Sequence, residues 1–197
     1  MILKTTDARM TDDRTLTCRC GETEWVINTA GGTHVVCHCA DCQTFATHLS
    51  PDQVPTDPAG GTHLLQTLPD HVTFLKGTEN LGCLRLSPKA LMRWYTTCCR
   101  TPVANTLPRP GIPFVGLVLP PETQDFGKVT ARAFTESAKR PVETYGMARA
   151  GLGVLRRALL GRIAGAHRRS PFVTPDGSPI ATPTVLTREE RAAARPG

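Results

Sequence analysis

The sequence predicts a mainly β protein of antiparallel sheets, extended at its C-terminal end by an amphipathic helix and a proline-rich tail. Three observations carry this reading. Short apolar runs recur at roughly 8–12 residue spacing between turn residues, the pattern of sandwiches, barrels and related β architectures. Gly and Pro number 17 each in 197 residues, more than a helical bundle accommodates. Helical spacing of apolar residues sets in only after Pro141. Hydrophobic residues at 40% and charged residues at 20% support a packed core and exclude wholesale disorder.

Residues 1–14 are polar, without periodicity, and are expected to form a loose N-terminal arm. Residues 15–140 are expected to form the β body. Its strands are predicted at Leu16–Cys20, Glu24–Ile27, His34–Cys37, His63–Thr67, Val72–Leu75, Leu81–Leu86, Ala90–Tyr95, Phe114–Leu119 and Val129–Phe134. Gly31-Gly32, Gly60-Gly61, Pro69-Asp70, Gly77 and Ser87-Pro88 supply the turns between them. The stretch 50–62 reads as a surface loop with no element of its own. Residues 141–197 are expected to form a basic helix and tail packed on the body. Leu152, Leu155, Leu159 and Ile163 share one helical face, and Arg149, Arg156, Arg157 and Arg162 take other positions. Gly151, Gly153, Gly161 and Gly165 weaken this helix, so packing must hold it. Pro171, Pro175, Pro179 and Pro183 keep the tail extended, with a short helix expected at Thr187–Ala194.

The net charge of +6 is divided unevenly. Residues 1–127 carry 10 Lys+Arg against 12 Asp+Glu, and residues 128–197 carry 13 against 5. The basic excess thus belongs to the C-terminal segment. No run of roughly 18 apolar residues exists, so no membrane span is expected. The first residues lack the apolar core of a signal peptide, and a soluble cytoplasmic protein is the expectation.

The eight cysteines are bunched at Cys18, Cys20, Cys37, Cys39, Cys42, Cys83, Cys98 and Cys99. Neighbours one or two residues apart cannot staple distant strands, so metal binding is favoured over a disulfide framework. In the run from His34 to Gln43 an apolar strand delivers Cys37 and Cys39 to one side, and a turn returns Cys42. Soft thiolates favour zinc or an iron–sulfur cluster, and three ligands with one position free is the layout of a catalytic zinc. A fourth ligand such as His38 or His48 would close that site. Cys18, Cys20, Cys98 and Cys99 make a second group, suited to a closed structural zinc. Adjacent cysteines bind one ion awkwardly, so either both Cys98 and Cys99 are ligands or one is a bystander. Cys83 reads as a small buried hydrophobe.

CxCG at Cys18–Gly21, CHCxxCQ at Cys37–Gln43, and an Arg-aromatic pair followed by cysteines and Thr101-Pro102 resemble the glutathione-dependent formaldehyde-activating enzyme family, which includes centromere protein V. The likeness covers roughly residues 15–120. It implies a β-tent fold around two zinc ions, a structural one on Cys18, Cys20, Cys98 and Cys99 and a catalytic one on Cys37, Cys39 and Cys42. Thr96 stands where the family's later motif has its first cysteine and Arg100 where it has glycine, as in an uncharacterised branch. The implied activity is that of a carbon–sulfur lyase of the S-(hydroxymethyl)glutathione synthase type, with glutathione as the small-molecule thiol partner and formaldehyde as its reaction partner. His38, His48 and Asp41 are candidates for proton handling. Gln43 and Phe45 are candidates for the pocket rim, and Arg93 and Arg100, read as flanking the second cysteine group, for meeting carboxylates.

Three other readings remain at this level. Both metals could be structural in a non-enzymatic zinc-binding β module. The basic segment could meet nucleic acid or an anionic membrane surface, although Phe134, Tyr145 and Phe172 are its only aromatics. Cys37, Cys39 and Cys42 could hold an iron–sulfur cluster. Oligomeric state is not encoded legibly.

Overall fold

The computed structural model describes residues 12–52, 54–109, 111–120 and 126–196. Among the described residues eleven strands fall in chain order at β1 (Asp13–Thr17), β2 (Glu24–Asn28), β3 (Thr33–Cys37), β4 (Thr62–Thr67), β5 (Val72–Lys76), β6 (Leu81–Arg85), β7 (Met92–Thr96), β8 (Pro102–Thr106), β9 (Val115–Leu119), β10 (Ala131–Ala133) and β11 (Thr184–Val185). The α-helices are α1 (Ala40–Leu49), α2 (Met147–Ile163) and α3 (Arg188–Ala194). The protein is mainly β, as its sequence predicts.

Two sheets form. One is three-stranded in the order β1-β2-β5, and the other eight-stranded in the order β10-β3-β4-β9-β8-β7-β6-β11. Both are antiparallel through their centres, with Val35 opposite Leu64 and Ala104 opposite Leu117. The large sheet departs from the expected antiparallel rule at its two edges. There β10 runs parallel to β3 and β11 parallel to β6. Both added strands are short, which leaves little edge for another chain to pair with.

The core lies between the sheets. Trp25 and Ile27 of β2, Trp94 of β7, and Val115 and Leu117 of β9 are all buried in it. Trp94 donates its indole N–H to Thr106 Oγ1 at 2.9 Å, which satisfies the polar end of the largest core side chain. Phe172 of the tail inserts at 1% exposure, its ring 5.1 Å from that of Trp94 and edge-on to Phe74 at 5.8 Å. Burying one such ring stabilises by roughly 2–3 kcal/mol, so the tail is part of the core and not a surface wrap. Cys83 lies in the same core, where burial pushes its thiol up to about 12. It packs as the small hydrophobe its isolation suggests.

Several expectations change. Residues 1–11 of the expected N-terminal arm lie outside the described residues, and Asp13 and Arg14 belong to β1. The strand expected at Leu16–Cys20 ends at Thr17, because the chain turns at Cys18–Gly21 with Gly21 at φ 80. β8 and α1 were not expected from sequence: β8 opens on a proline, and α1 mixes polar and apolar residues without a clear stripe. The 50–62 stretch is not an outlying loop, since Ala59, Gly60 and Gly61 are buried beside α1 and β3. The helix and the short C-terminal helix occur as expected, the latter started by a capping box between Thr187 and Glu190. The Leu152, Leu155, Leu159 and Ile163 face, however, points to solvent. The helix packs instead through Ala150 against β3 and β10 and through Gly161 against Leu68 and Pro113.

Gly77 joins the sheets' local geometry to the first cysteine turn. It sits at φ 71, and an added Cβ would lie 2.4 Å from the Glu22 carbonyl oxygen. Its own carbonyl accepts from the Thr23 hydroxyl at 3.3 Å. Gly77→Ala is expected to lower the unfolding free energy by about 2 kcal/mol, from left-handed strain with the clash added. Gly111→Ala, with open space around it, is the neutral control. Urea midpoints of the two variants check this.

Candidate metal centres

Each cysteine group forms at a place where the backbone leaves a strand. After β1 the chain closes a tight turn in which Gly21 N–H donates to the Cys18 carbonyl at 2.9 Å, bringing Cys18 and Cys20 together. Between β7 and β8 the turn Thr97–Arg100 presents Cys98 and Cys99, with Arg100 in the left-handed region at φ 58. The two turns meet although 80 residues separate Cys18 from Cys98. The Sγ atoms are 3.6 Å apart for Cys18 and Cys20, 3.9 Å for Cys18 and Cys98, 3.3 Å for Cys20 and Cys98, and 3.9 Å for Cys98 and Cys99. All four lie within 4.8 Å of one another. Thiolates held about 2.3 Å from a tetrahedral zinc stand about 3.8 Å apart. The donor set therefore fits such an ion, and both Cys98 and Cys99 belong to it. The adjacent pair converges because the Arg100 left-handed residue tightens the turn that carries it.

The surroundings favour thiolate at Cys18 and Cys99, whereas at Cys20 the Glu22 backbone hydrogen bond, which lowers its thiol, is outweighed by hydrogen bonding with Cys98 and by burial, which push it up to about 12. Thr23 N–H donates to Cys18 Sγ at 3.2 Å. Burial pushes the Cys99 thiol up, but the Thr101 and Thr96 hydroxyls, 3.1 and 3.3 Å away, outweigh it and hold it at about 5.

The second group arises where β3 runs into α1. Cys37 ends the strand, Cys39 is the N-cap of the helix, and Cys42 lies in its first turn. The expected geometry, with Cys37 and Cys39 alternating on one strand, is thus replaced by a strand-to-helix junction. The effect on convergence is the same: the three Sγ atoms lie within 4.8 Å, and Cys37 and Cys42 are 3.7 Å apart. Cys42 N–H points at Cys39 Sγ, 3.4 Å away, and the helix N-terminus favours negative charge there. Hydrogen bonds from the Cys37 and Cys39 thiols, and then the Arg93 guanidinium 3.9 Å from its sulfur, hold Cys42 well below the ordinary thiol range. Among the described residues no fourth His, Cys, Asp or Glu joins this cluster.

The candidate accessory residues sort clearly. His38 is buried with neither ring nitrogen hydrogen-bonded; its Nε2 and that of His63 each stand 3.9 Å from Asp57 Oδ2. Burial lowers the pKa of His38 and of His63, which keeps both neutral near pH 7. His48 sits at the far end of α1, its carbonyl accepting from Arg100. Asp41 pairs with Arg191 of α3 at 3.3 Å. Gln43 donates to the His38 and Ser137 carbonyls, both at 2.7 Å, which holds the junction, and it also lines a second cavity with Thr47, Val54 and Lys139. Phe45 packs against Leu84 and Leu86.

The arginines depart from expectation. Arg93 lies not at the Cys98 turn but against Cys42, buried between Asn105 Oδ1 at 3.0 Å and the Phe45 ring. Arg100 is used up by the carbonyls of His48 and Leu49. Sequence reasoning also missed Trp25 and Asp57. Trp25 lines a cavity of about 330 Å³ together with Arg19, Pro55, Pro102 and Val118. The last three of these also line the small crevice over Cys42 and Arg93, so the cavity abuts the three-thiol cluster. The Trp25 indole Nε1 is buried without a partner. Nothing local in the sequence marks Trp25, since only pairing of β1, β2 and β5 turns it to this cavity.

Metal analysis tests the two centres. The purified chain is expected to carry about two zinc ions. Cys39→Ser is expected to carry about one with the fold kept, and Cys18→Ser about one with a clear loss of thermal stability. One ion in the parent protein would contradict the two-centre geometry.

Comparison with known proteins gives the following. No curated protein matches the chain. A crystal structure of a Rhodobacter sphaeroides protein, a Northeast Structural Genomics target, is similar at 16% identity and a TM-score of 0.40, covering 61% of this chain and 99% of that one. A family of unknown function, DUF6151, matches residues 10–182 and so takes in both cysteine groups and the helix α2. The chain belongs to that family.

Proposed function

We propose that the chain is a zinc-dependent enzyme of the carbon–sulfur lyase type, acting on glutathione or another thiol adduct like an S-(hydroxymethyl)glutathione synthase. The observation that carries this reading is a three-thiol cluster with no fourth ligand among the described residues, lying beside a cavity. Zinc held by Cys37, Cys39 and Cys42 would supply an open position at which a substrate thiol loses its proton near neutral pH.

The chain's own groups suit that task. Three thiolates make a negative centre, and the buried Arg93 guanidinium beside Cys42 offsets part of that charge without occupying a ligand position. Asn105 and the Phe45 ring fix the guanidinium in place. Cys39 is only half-buried, so solvent and a small thiol reach this edge of the cluster. The Arg19 side chain lines the cavity and provides donors for the carboxylates or carbonyls of a peptide-like thiol. At about 330 Å³ the cavity falls at the lower end of small-ligand sites. The addition is balanced without redox change: the sulfur–hydrogen bond breaks, a sulfur–carbon bond forms to formaldehyde, and the carbonyl oxygen takes the proton. The neutral His38 and His63, with Asp57 between them, are the proton-carrying groups on this side of the body.

Cobalt substitution tests the reading. Adding glutathione to the cobalt form is expected to change its sulfur-to-metal charge-transfer bands, and Cys39→Ser to abolish that change. A spectrum indifferent to thiols would mark a closed centre and favour a zinc-binding module without this chemistry. Arg19→Met removes the guanidinium that lines the cavity. It is expected to weaken glutathione binding about fivefold, the worth of one hydrogen bond, with zinc content unchanged.

A further inference from the structure

The helix α2 is inside out for a helix covering a soluble domain. Its inward side is built from small residues: Ala150 is buried against Val35, Ala131 and Ala133, and Gly161 lies so close to Leu68 that an added Cβ would be 2.7 Å from its methyl. Arg157 also turns inward, donating to Thr33 Oγ1 at 2.7 Å. Its large apolar residues all face out. Leu152, Leu155, Leu159, Leu160 and Ile163 are 68%, 69%, 63%, 53% and 77% exposed. At 100° per residue these five span an arc of about 140° on one side of the helix. Scattered exposed leucines need no explanation, but five large aliphatic residues gathered on a single face do.

The charges on that face indicate what it meets. Between Glu143 and Asp176 the chain has six arginines and no acidic residue. Arg157 and Arg169 are engaged with the body, the latter with Asp70 at 2.6 Å. Arg149, Arg156, Arg162 and Arg168 are exposed, and the first three border or interrupt the apolar arc. Two copies meeting through this face would bring arginine against arginine with no carboxylate on the helix to pair. A nucleic acid would be met by aliphatic side chains at the centre of the footprint, where stacking or phosphate contacts belong. An anionic bilayer surface matches both features, because acyl chains accept the leucines while the arginine stems bend outward to the headgroup phosphates.

We propose that α2 is an interfacial helix that docks the protein on anionic membranes, lying in the plane of the surface with Leu152, Leu155, Leu159, Leu160 and Ile163 inserted. Its 17 residues make a rod about 25 Å long, and among the described residues no helix is long and apolar enough to cross a membrane. The docked helix therefore lies on the bilayer without spanning it.

Co-sedimentation of the full-length zinc-loaded protein with vesicles tests this. Vesicles of phosphatidylcholine with about a quarter phosphatidylglycerol are expected to carry the protein down, pure phosphatidylcholine far less, and 0.5 M salt to release most of it. Leu155→Glu/Leu159→Glu, both on the solvent side, is expected to reduce partitioning roughly tenfold or more at unchanged zinc content and melting temperature. Each of Arg149→Gln, Arg156→Gln and Arg162→Gln is expected to cost about fivefold. Absence of binding to anionic vesicles would overturn the proposal. So would sedimentation-velocity evidence of a dimer that Leu155→Glu dissolves, or retention on DNA without retention on vesicles.

Discussion

Two sheets of this protein meet at four sulfur atoms placed to hold one metal ion. β1 leads into Cys18 and Cys20 from the three-stranded sheet, and Cys98 and Cys99 stand between β7 and β8 of the eight-stranded one. Their convergence closes a loop of 80 residues, whose entropy a metal ion would offset far more than any single hydrogen bond could. The rest of the geometry leans on this clasp. With the sheets held, Trp25 and Trp94 share one core, Phe172 of the tail finds its slot between their neighbours, and the cavity beside Trp25 keeps its shape.

The second cluster depends on a different device, the junction of a strand and a helix. β3 is pinned between β4 and β10, so Cys37 is fixed by two neighbours, while the first turn of α1 brings Cys42 back to it. The Gln43 amide, bonded to the His38 carbonyl, and the Asp57 carboxylate, which accepts from Ala59 and Gly61 N–H at 2.8 and 2.7 Å, hold the adjoining backbone. A cluster with one buried cation nearby and a cavity at its side is the arrangement on which the proposed thiol chemistry rests. The four-thiol cluster, by contrast, has its full complement and lies between turns. The two centres differ in ligand number, and this difference is the physical basis for assigning them different roles.

Much of this was legible in the sequence. Cysteine spacing identified both donor sets, because residues one to three apart must share a locality whatever the fold. Strand positions were legible wherever an apolar run ended in a turn residue, as at Val72 and Leu81. What was not legible is what long-range pairing decides. Arg93 reaches Cys42 only because β7 pairs with β8, where it lies opposite Asn105. The stretch 50–62 looks like solvent-facing loop by composition, yet Ala59, Gly60 and Gly61 are buried, and Asp57 fixes their backbone while facing His38 and His63. α1 was obscured because its first turn is made by a motif read as a metal loop. The direction of α2 was obscured because periodicity reveals a face without saying which side is in. Here the small residues Ala150 and Gly161 allow the closer approach, and the leucines are left outside.

Seven of the eight cysteines divide as four and three between two candidate metal sites, the smaller set without a fourth ligand among the described residues. Zinc absorption spectroscopy reads this division directly through the mean number of sulfur neighbours at about 2.3 Å. Seven sulfurs shared over two ions plus one lighter ligand are expected, rising to eight sulfurs when glutathione is added. Eight ligand atoms unchanged by the thiol, or a single zinc ringed by four sulfurs, would contradict this expectation.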